Sequence, residues 1–459
     1  MEDRPLATTV ILIRHGQSTY NLEGRIQGRC DKSVLTELGR ETARQTGRAL
    51  AGISFDAVYC SPLQRASQTA EIICQTLSED GSLTPTVSDL LREVDLPLWE
   101  DRRRDEVMET FPDDYRLWKA RPHEFKMVVP TEDGGTRDHF PILSLHEQAK
   151  QFWEFVLSKH AGQTVAVVAH NGINRCSIST ALGVGPQDYQ GIQQSNCGIS
   201  IFRFSGGLSD TVQMESMNQI GHLSEDPFPS PRKPHRGPRL LLVRHGETQW
   251  NRESRFQGQI DVPLNENGRA QGRRVAQLLK SVKLDFAVTS PMLRPKETAE
   301  LILEHHPGVA LTTNENLREI GHGLWEGKLE SEIRGEYGEL LERWKTQPET
   351  VQMPEGENLQ QVWDRAKLAW DEIVKAYGES DRPLTGIVVA HDAINKAILA
   401  SLFDLGPDHF WNFKQGNGAV SVIDYPHGPD GKPVLQTSNV TLHLNENGEL
   451  FDRTAAGAL

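Results

Sequence analysis

The chain has 459 residues, 37% hydrophobic and 24% charged, with 63 acidic side chains against 49 Lys and Arg and a formal net charge of −14. That length favours two or three domains over a single core, and no apolar run is long enough to cross a bilayer. The acidic balance excludes nucleic acid held by bulk charge, so any cations that bind phosphate must be gathered locally.

The start, Met1-Glu2-Asp3-Arg4-Pro5, leads straight into an apolar run and carries no pattern of a secretory signal. In the first half, strand patterns fall near 8–13, 55–60, 164–169, 198–204 and 211–216, and helical patterns near 36–51, 63–77, 146–160 and 172–182. Thr36 and Asn265 are the expected N-caps of the helix that follows the first motif in each half. Runs such as Val165-Ala166-Val167-Val168-Ala169 are apolar on both faces and suit interior strands covered by helices. The expected class is α/β: two tandem three-layer α/β/α domains, each with a mostly parallel central sheet.

The tandem reading rests on a repeat. Val10-Ile11-Leu12-Ile13 runs into Arg14-His15-Gly16-Gln17-Ser18, and Leu240-Leu241-Leu242-Val243 runs into Arg244-His245-Gly246-Glu247-Thr248. Ser61-Pro62, Leu91-Arg92-Glu93 and Val168-Ala169-His170 recur as Ser290-Pro291, Leu317-Arg318-Glu319 and Val389-Ala390-His391. The offset narrows slowly, from 230 residues at His15/His245 to 221 at His170/His391, as small loop differences produce. Domains are expected at 1–223 and 239–459, joined by a proline-rich linker at 224–238. The five cysteines, Cys30, Cys60, Cys74, Cys176 and Cys197, all lie in the first half and form no C-x-x-C pair. They predict reduced thiols in a cytoplasm-like compartment rather than a disulfide framework or a zinc site.

Each half supplies what cleavage of a phosphate monoester needs: a nucleophile, cations for the outer oxygens and a proton donor for the leaving oxygen. In the first half these are His15, then Arg14 and Arg65, then Glu93, with His170 as a further donor; in the second they are His245, Arg244, Arg294, Glu319 and His391. An arginine adjoins each first histidine and would repel a cation, so no metal is expected.

Four motifs in order, found twice, make the chain resemble the histidine phosphatase superfamily, the phosphoglycerate mutase-like family, over nearly all of both halves. The resemblance implies a phosphohistidine on His15 and His245 and phosphate pockets from His170, Arg14 and Arg65 or from His391, Arg244 and Arg294. It further implies proton donation by Glu93 and Glu319, with Asn21 and Asn251 as the family's phosphate-side asparagines. The tandem layout looks most like the two-domain members similar to 2-carboxy-D-arabinitol-1-phosphatase, which implies a sugar or sugar-acid phosphate as substrate. No cofactor, nucleic acid or membrane partner follows, and the oligomeric state stays open.

Departures sharpen the expectation. Where the family usually has glycine after the late histidine, Asn171 and Asp392 stand, and an aspartate there is expected to weaken turnover in the second half. The first half has Leu98-Trp99-Glu100-Asp101 for Leu324-Trp325-Glu326-Gly327, and its lid stretch Thr131–Gly135 differs from Pro354–Asn358. Trp99, Trp118, Trp153, Trp325, Trp344 and Trp363 read as core and lid packing. Neither half carries the long basic insertion of cofactor-dependent mutases, the end Asp452–Leu459 has little to clamp a bisphosphate, and no G-x-x-x-x-G-K-[ST] loop occurs. Phosphatase is therefore the expected activity, with mutase-type phosphotransfer, or one half kept as a phosphate-binding regulatory module, as alternatives.

Overall fold

The computed structural model describes residues 7–78, 80–223, 226–445 and 450. The Met1–Pro5 start, the first two positions of the expected linker and the Asp452–Leu459 end lie outside the described residues. The chain divides into two compact units, Met1–Asp226 and Pro227–Leu459.

In the first unit the order is β1 (Thr8–Arg14), α1 (Thr19–Glu23), α2 (Glu37–Ala49), β2 (Ala57–Cys60), α3 (Gln64–Leu77), β3 (Pro85–Val87), α4 (Arg104–Thr110) and α5 (Pro112–Ala120). Then come β4 (Met127–Pro130), β5 (Thr136–His139), α6 (Pro141–Lys159), β6 (Thr164–Ala169), α7 (Asn171–Leu182), β7 (Ile199–Phe204) and β8 (Val212–Gln219). The sheet order is β8-β7-β1-β6-β2-β3. β1, β6, β2 and β3 run parallel, while β7 and β8 add antiparallel. β1 and β6 sit in the middle because Val, Ile, Leu and Ala occupy both their faces. Val10 to Ile13 and Val165 to Ala169 are all buried, and each such Val, Leu or Ile contributes roughly 1.5–3 kcal/mol.

The second unit repeats the plan: β9 (Arg239–Arg244), α8 (Gln249–Arg252), α9 (Glu266–Leu279), β10 (Phe286–Thr289), α10 (Leu293–Leu303), β11 (Leu311–Thr313), α11 (Glu330–Thr346), α12 (Leu359–Gly378), β12 (Thr385–Ala390), α13 (Asp392–Ser401), β13 (Val420–Asp424) and β14 (Val434–Val440). Its sheet order is β11-β10-β12-β9-β13-β14, again with four parallel strands followed by two antiparallel ones. Both expected caps form: Thr36 Oγ1 accepts from Gly39 N at 3.0 Å and Asn265 Oδ1 from Gly268 N at 2.8 Å.

Three features lie outside the sequence patterns. Glu93, which reads in the sequence as following a strand-like run, follows a single 3-10 turn, Asp89–Leu91. The segment between Arg104 and Ala120 forms two helices and Met127–His139 a hairpin, none of which the apolar pattern marked. The proline-rich stretch has neither helix nor strand from 226 to 238. Phe228 nevertheless packs against the second unit's core, and Gly237 N donates to Tyr425 O at 3.0 Å.

Candidate active site

In each unit the two central parallel strands end side by side, and their next residues are the two histidines. His15 follows β1 and His170 follows β6, with His15 N donating to Ala169 O at 2.9 Å. Their ring centroids stand 5.2 Å apart, edge to face at 61°. His245 and His391, after β9 and β12, repeat the 5.2 Å spacing at 68°. Parallel-strand carboxyl ends are where such sheets open a crevice, and all four imidazoles are buried there.

Hydrogen bonds fix what each ring can do. His15 Nδ1 lies 2.7 Å from Gly16 O and His245 Nδ1 2.7 Å from Gly246 O. A carbonyl only accepts, so Nδ1 carries the proton and Nε2 keeps its lone pair. Burial, then the neighbouring Arg14 and Arg65, hold His15 well below the ordinary histidine range; burial, then Arg294 and Arg244, do the same for His245. Both rings are therefore neutral at neutral pH with the Nε2 lone pair unprotonated, and in His245 that lone pair accepts a hydrogen bond from Arg294 Nε at 3.3 Å, which an incoming phosphate must take over. His170 Nε2 meets Ser61 Oγ at 2.7 Å and His391 Nε2 meets Ser290 Oγ at 2.9 Å. When the serine hydroxyl donates, Nδ1 is the protonated nitrogen, and in both rings that buried nitrogen has no hydrogen-bond partner. A donor left unsatisfied in a buried polar site is what an anion would complete.

Arginines frame the same space. Arg65, the second residue of α3, is fully buried; its guanidinium donates to Gly28 O at 2.9 Å and Cys30 O at 3.1 Å, and its Nε has no partner. Arg294 donates to Gly258 O at 2.8 Å, and its Nε lies 3.3 Å from His245 Nε2. Arg14 donates to Gln194 O at 2.8 Å and Arg244 to Gln415 O. Burial pulls Arg14 and Arg294 down to about 10, which leaves both charged at neutral pH.

The glutamates sit at the N-termini of the helices that start after His170 and His391, where backbone N–H groups point outward. Glu93 accepts from Gly172 N at 3.0 Å, Ile173 N at 3.2 Å and Val94 N at 2.8 Å. Glu319 accepts from Ile320 N at 3.0 Å and Ala393 N at 3.2 Å. Burial, then the Asp392 carboxylate, raises Glu319 above the usual carboxylate range, which suits a group that must arrive protonated. Asn21 and Asn251 spend Oδ1 on capping Ser18 N and Thr248 N, each at 3.1 Å, so only their Nδ2 can donate to an anion.

All twelve expected site residues thus converge, six per unit. In the second unit Arg244, His245, Asn251, Arg294 and Glu319 line one pocket, together with Arg255, His322, Trp344, Asp392, Phe410 and Trp411. The six tryptophans noted in the sequence are all buried. Trp344 also faces this pocket, and so does Trp411, which the sequence reading passed over.

Other contributors were not singled out in the sequence. Ser61 and Ser290 orient the second histidines. Asn196 and Asn417 donate to the His15 and His245 carbonyls at 2.8 and 3.1 Å, and Thr69 and Thr298 accept from Gly16 N and Gly246 N at 3.1 Å. Their signal was the repeat itself, since each recurs at matching register. Asp392 carries an unexpected pairing: Oδ1 lies 3.6 Å from Arg244 and Oδ2 2.8 Å from the buried Lys396. The negative charge flagged in the sequence is therefore met by two cations.

Comparison with known proteins follows the same division. The profile described as histidine phosphatase superfamily (branch 1) matches residues 10–217 and again 240–441. A 2-carboxy-D-arabinitol-1-phosphatase from Triticum aestivum is 32% identical over 453 residues, 95% of this chain and 87% of that protein. Phosphoserine phosphatase 1 from Hydrogenobacter thermophilus is 34% identical over 208 residues, 45% of this chain and 95% of its own length. Among solved structures, YhfR of Bacillus stearothermophilus is 31% identical, with a TM-score of 0.42 over 45% of this chain and 100% of that one.

Proposed function

The chain belongs to the histidine phosphatase superfamily and is a phosphatase, and on that premise we propose that each unit hydrolyses the phosphate monoester of a small sugar or sugar acid through a phosphohistidine. The arrangement that supports this most is the fixed tautomer of His15 and His245, whose Nδ1 is held by the next residue's carbonyl. Nε2 attacks phosphorus as the ester P–O bond breaks, and the carboxyl proton of Glu93 or Glu319 passes to the leaving oxygen. Water then attacks the phosphohistidine, its proton returns to the carboxylate, the N–P bond breaks and inorganic phosphate leaves. Arg14, Arg65, His170 and Asn21, or Arg244, Arg294, His391 and Asn251, hold the three outer oxygens as charge shifts onto them.

The substrate class draws on the 2-carboxy-D-arabinitol-1-phosphatase and phosphoserine phosphatase similarities, whose named substrates are small and carry a carboxylate beside the ester. A reducing, cytoplasm-like setting is supported by the five free thiols. No helix among the described residues is long and apolar enough to cross a membrane. A second reading, in which the second unit binds a phosphorylated ligand without turnover, draws on Asp392 in its pocket wall.

Hydrolysis of a sugar-phosphate panel by His15→Ala, His245→Ala and the double variant tests the proposal. Each single change should silence its own unit, and the double should lose at least about 10³-fold in kcat/KM. Hydrolysis at the original rate in the double variant would end the phosphohistidine mechanism. Loss confined to His15→Ala would favour the binding role for the second unit.

A further inference from the structure

The residue directly after the second histidine differs in charge between the units, and in the second unit it lines the pocket. Asp392 stands there, with a side chain about one-fifth exposed. Its counterpart Asn171 is half-buried, and its Oδ1 has no hydrogen-bond partner. One helical turn on, the first unit has Arg175 and the second Lys396, both buried. Arg175 lies 5.2 Å from the Tyr189 ring centroid and bonds Gln190 Oε1 at 3.4 Å. Lys396 is tied to Asp392 at 2.8 Å and sits 4.5 and 4.8 Å over the Phe410 and Trp411 rings. Counting only these helix positions and the motif arginine, the first pocket has two cations and no anion, whereas the second has two cations and one carboxylate. At the positions that correspond to His322, Phe410 and Trp411 of the second pocket, the first unit has Leu96, Tyr189 and Gln190.

We infer that Asp392 makes the second pocket selective for phosphate esters whose organic part presents a cation or hydrogen-bond donor beside the ester, while the first pocket accepts esters with a neighbouring carboxylate. The inference deepens the proposed hydrolase reading. A bound phosphate draws on Arg244, which leaves Lys396 as the partner of Asp392 at 2.8 Å, so a second anionic group meets one negative charge more than it would beside Asn171, and like-charge juxtaposition is how pockets reject the wrong ligand. An ammonium or hydroxyl group meets instead an acceptor in the Asp392 carboxylate, which lines the pocket. In the first pocket Asn171 can turn its amide to donate to a carboxylate, with Arg175 behind it.

The test uses the full chain and reads binding, so that it does not depend on turnover. Arg65→Ala disables the first pocket and His245→Ala stops hydrolysis in the second; calorimetry then gives Kd for O-phosphoethanolamine, 2-phosphoglycolate and inorganic phosphate. O-phosphoethanolamine should bind at least about tenfold tighter than 2-phosphoglycolate, and adding Asp392→Asn should erase that preference. Reciprocally, Asn171→Asp, in a chain carrying Arg294→Ala and His15→Ala, should impose the preference on the first pocket. An unchanged ratio in Asp392→Asn, parallel shifts in all three ligands, or no ester binding at all would overturn the inference. Charge preference without ester hydrolysis by the unmutated chain would leave it standing while removing the hydrolase reading.

Discussion

Beneath Glu93 and Glu319, the two units use one arginine and one glutamine in exchanged places. In the first, Arg29 Nε donates to the Glu93 carbonyl at 3.2 Å and its NH2 to Gln148 Oε1 at 3.0 Å, while Gln148 ties the Leu90 and Arg92 carbonyls at 3.0 and 2.8 Å. In the second, Gln259 donates to the Glu319 carbonyl at 3.1 Å, while Arg365 reaches the carbonyls of Asn316 and Glu319, each at 3.0 Å, and that of Arg318. Duplicated sites can thus keep the hydrogen bond to a given carbonyl and let the donor migrate between two positions. Asp101 and Gly327 show the same for the backbone. Both are left-handed, at φ 64° and 81°, and the aspartate tolerates this while its carboxylate bonds Tyr20 OH and Lys32. What has not been kept is the charge after the second histidine, and there the units part.

If the two glutamates are equivalent, the largest effect after loss of the histidines comes from Glu93→Gln and Glu319→Gln, each made with the other unit's histidine changed to alanine. Each should lower kcat by about 10²–10⁴ with little change in KM for esters of poor leaving groups. A large loss for one glutamate alone would mean that the units do not share a proton donor.

Acid should treat the units alike. His15, His170, His245 and His391 are all held well below their ordinary value by burial first and by neighbouring cations second. Their folded state binds fewer protons than the unfolded chain. Stability is therefore fully present above pH about 6.5 and declines as pH falls toward the folded-state values, by at most about 1.4 kcal/mol per pH unit for each ring. Chemical denaturation between pH 7 and 5 reads the slope. A saturating phosphate ligand should alter it in both units, whereas a change confined to one would separate them.

Gly16→Ala and Gly246→Ala should cost a similar amount, about 1–3 kcal/mol each. A Cβ would come to 2.4 Å from Gly39 O in the first unit and 2.3 Å from Gly268 O in the second. Thermal unfolding of the two variants measures this, and unequal losses would show that the first loop is tighter in one unit.

The smallest effect is the most telling about the exchange. Arg29→Gln and Gln148→Arg should each destabilise the first unit, and together they should recover, because the pair recreates the second unit's arrangement. A coupling of about 0.5–3 kcal/mol in a double-mutant cycle is expected. Additive losses would mean that the swap is not compensatory.

The strands β1, β2, β6, β7 and β8 and the four histidine, arginine and glutamate motifs were legible, the motifs because they recur in order and the central strands because they are apolar on both faces. The helices α4 and α5 and the hairpin of β4 and β5 were not, since Arg104–Ala120 is rich in charge and Met127–His139 alternates too briefly to show a period. Ser61 was visible only as part of the recurring Ser-Pro pair. Its role depends on His170, 109 positions away, which β6 brings beside it. Lys396 was likewise silent, because a lysine in a helix is ordinarily solvated; only Asp392 one turn earlier, over Phe410 and Trp411, gives it a buried place.

The central claim is that each unit forms its own phosphohistidine. Rapid quenching into alkali during turnover of a sugar-phosphate substrate, followed by mass spectrometry of the peptides, tests it directly. The account predicts phosphoryl groups on His15 and His245, at Nε2, with each label vanishing only in its own alanine variant. Turnover with neither histidine labelled, or label persisting elsewhere in the double variant, would contradict it.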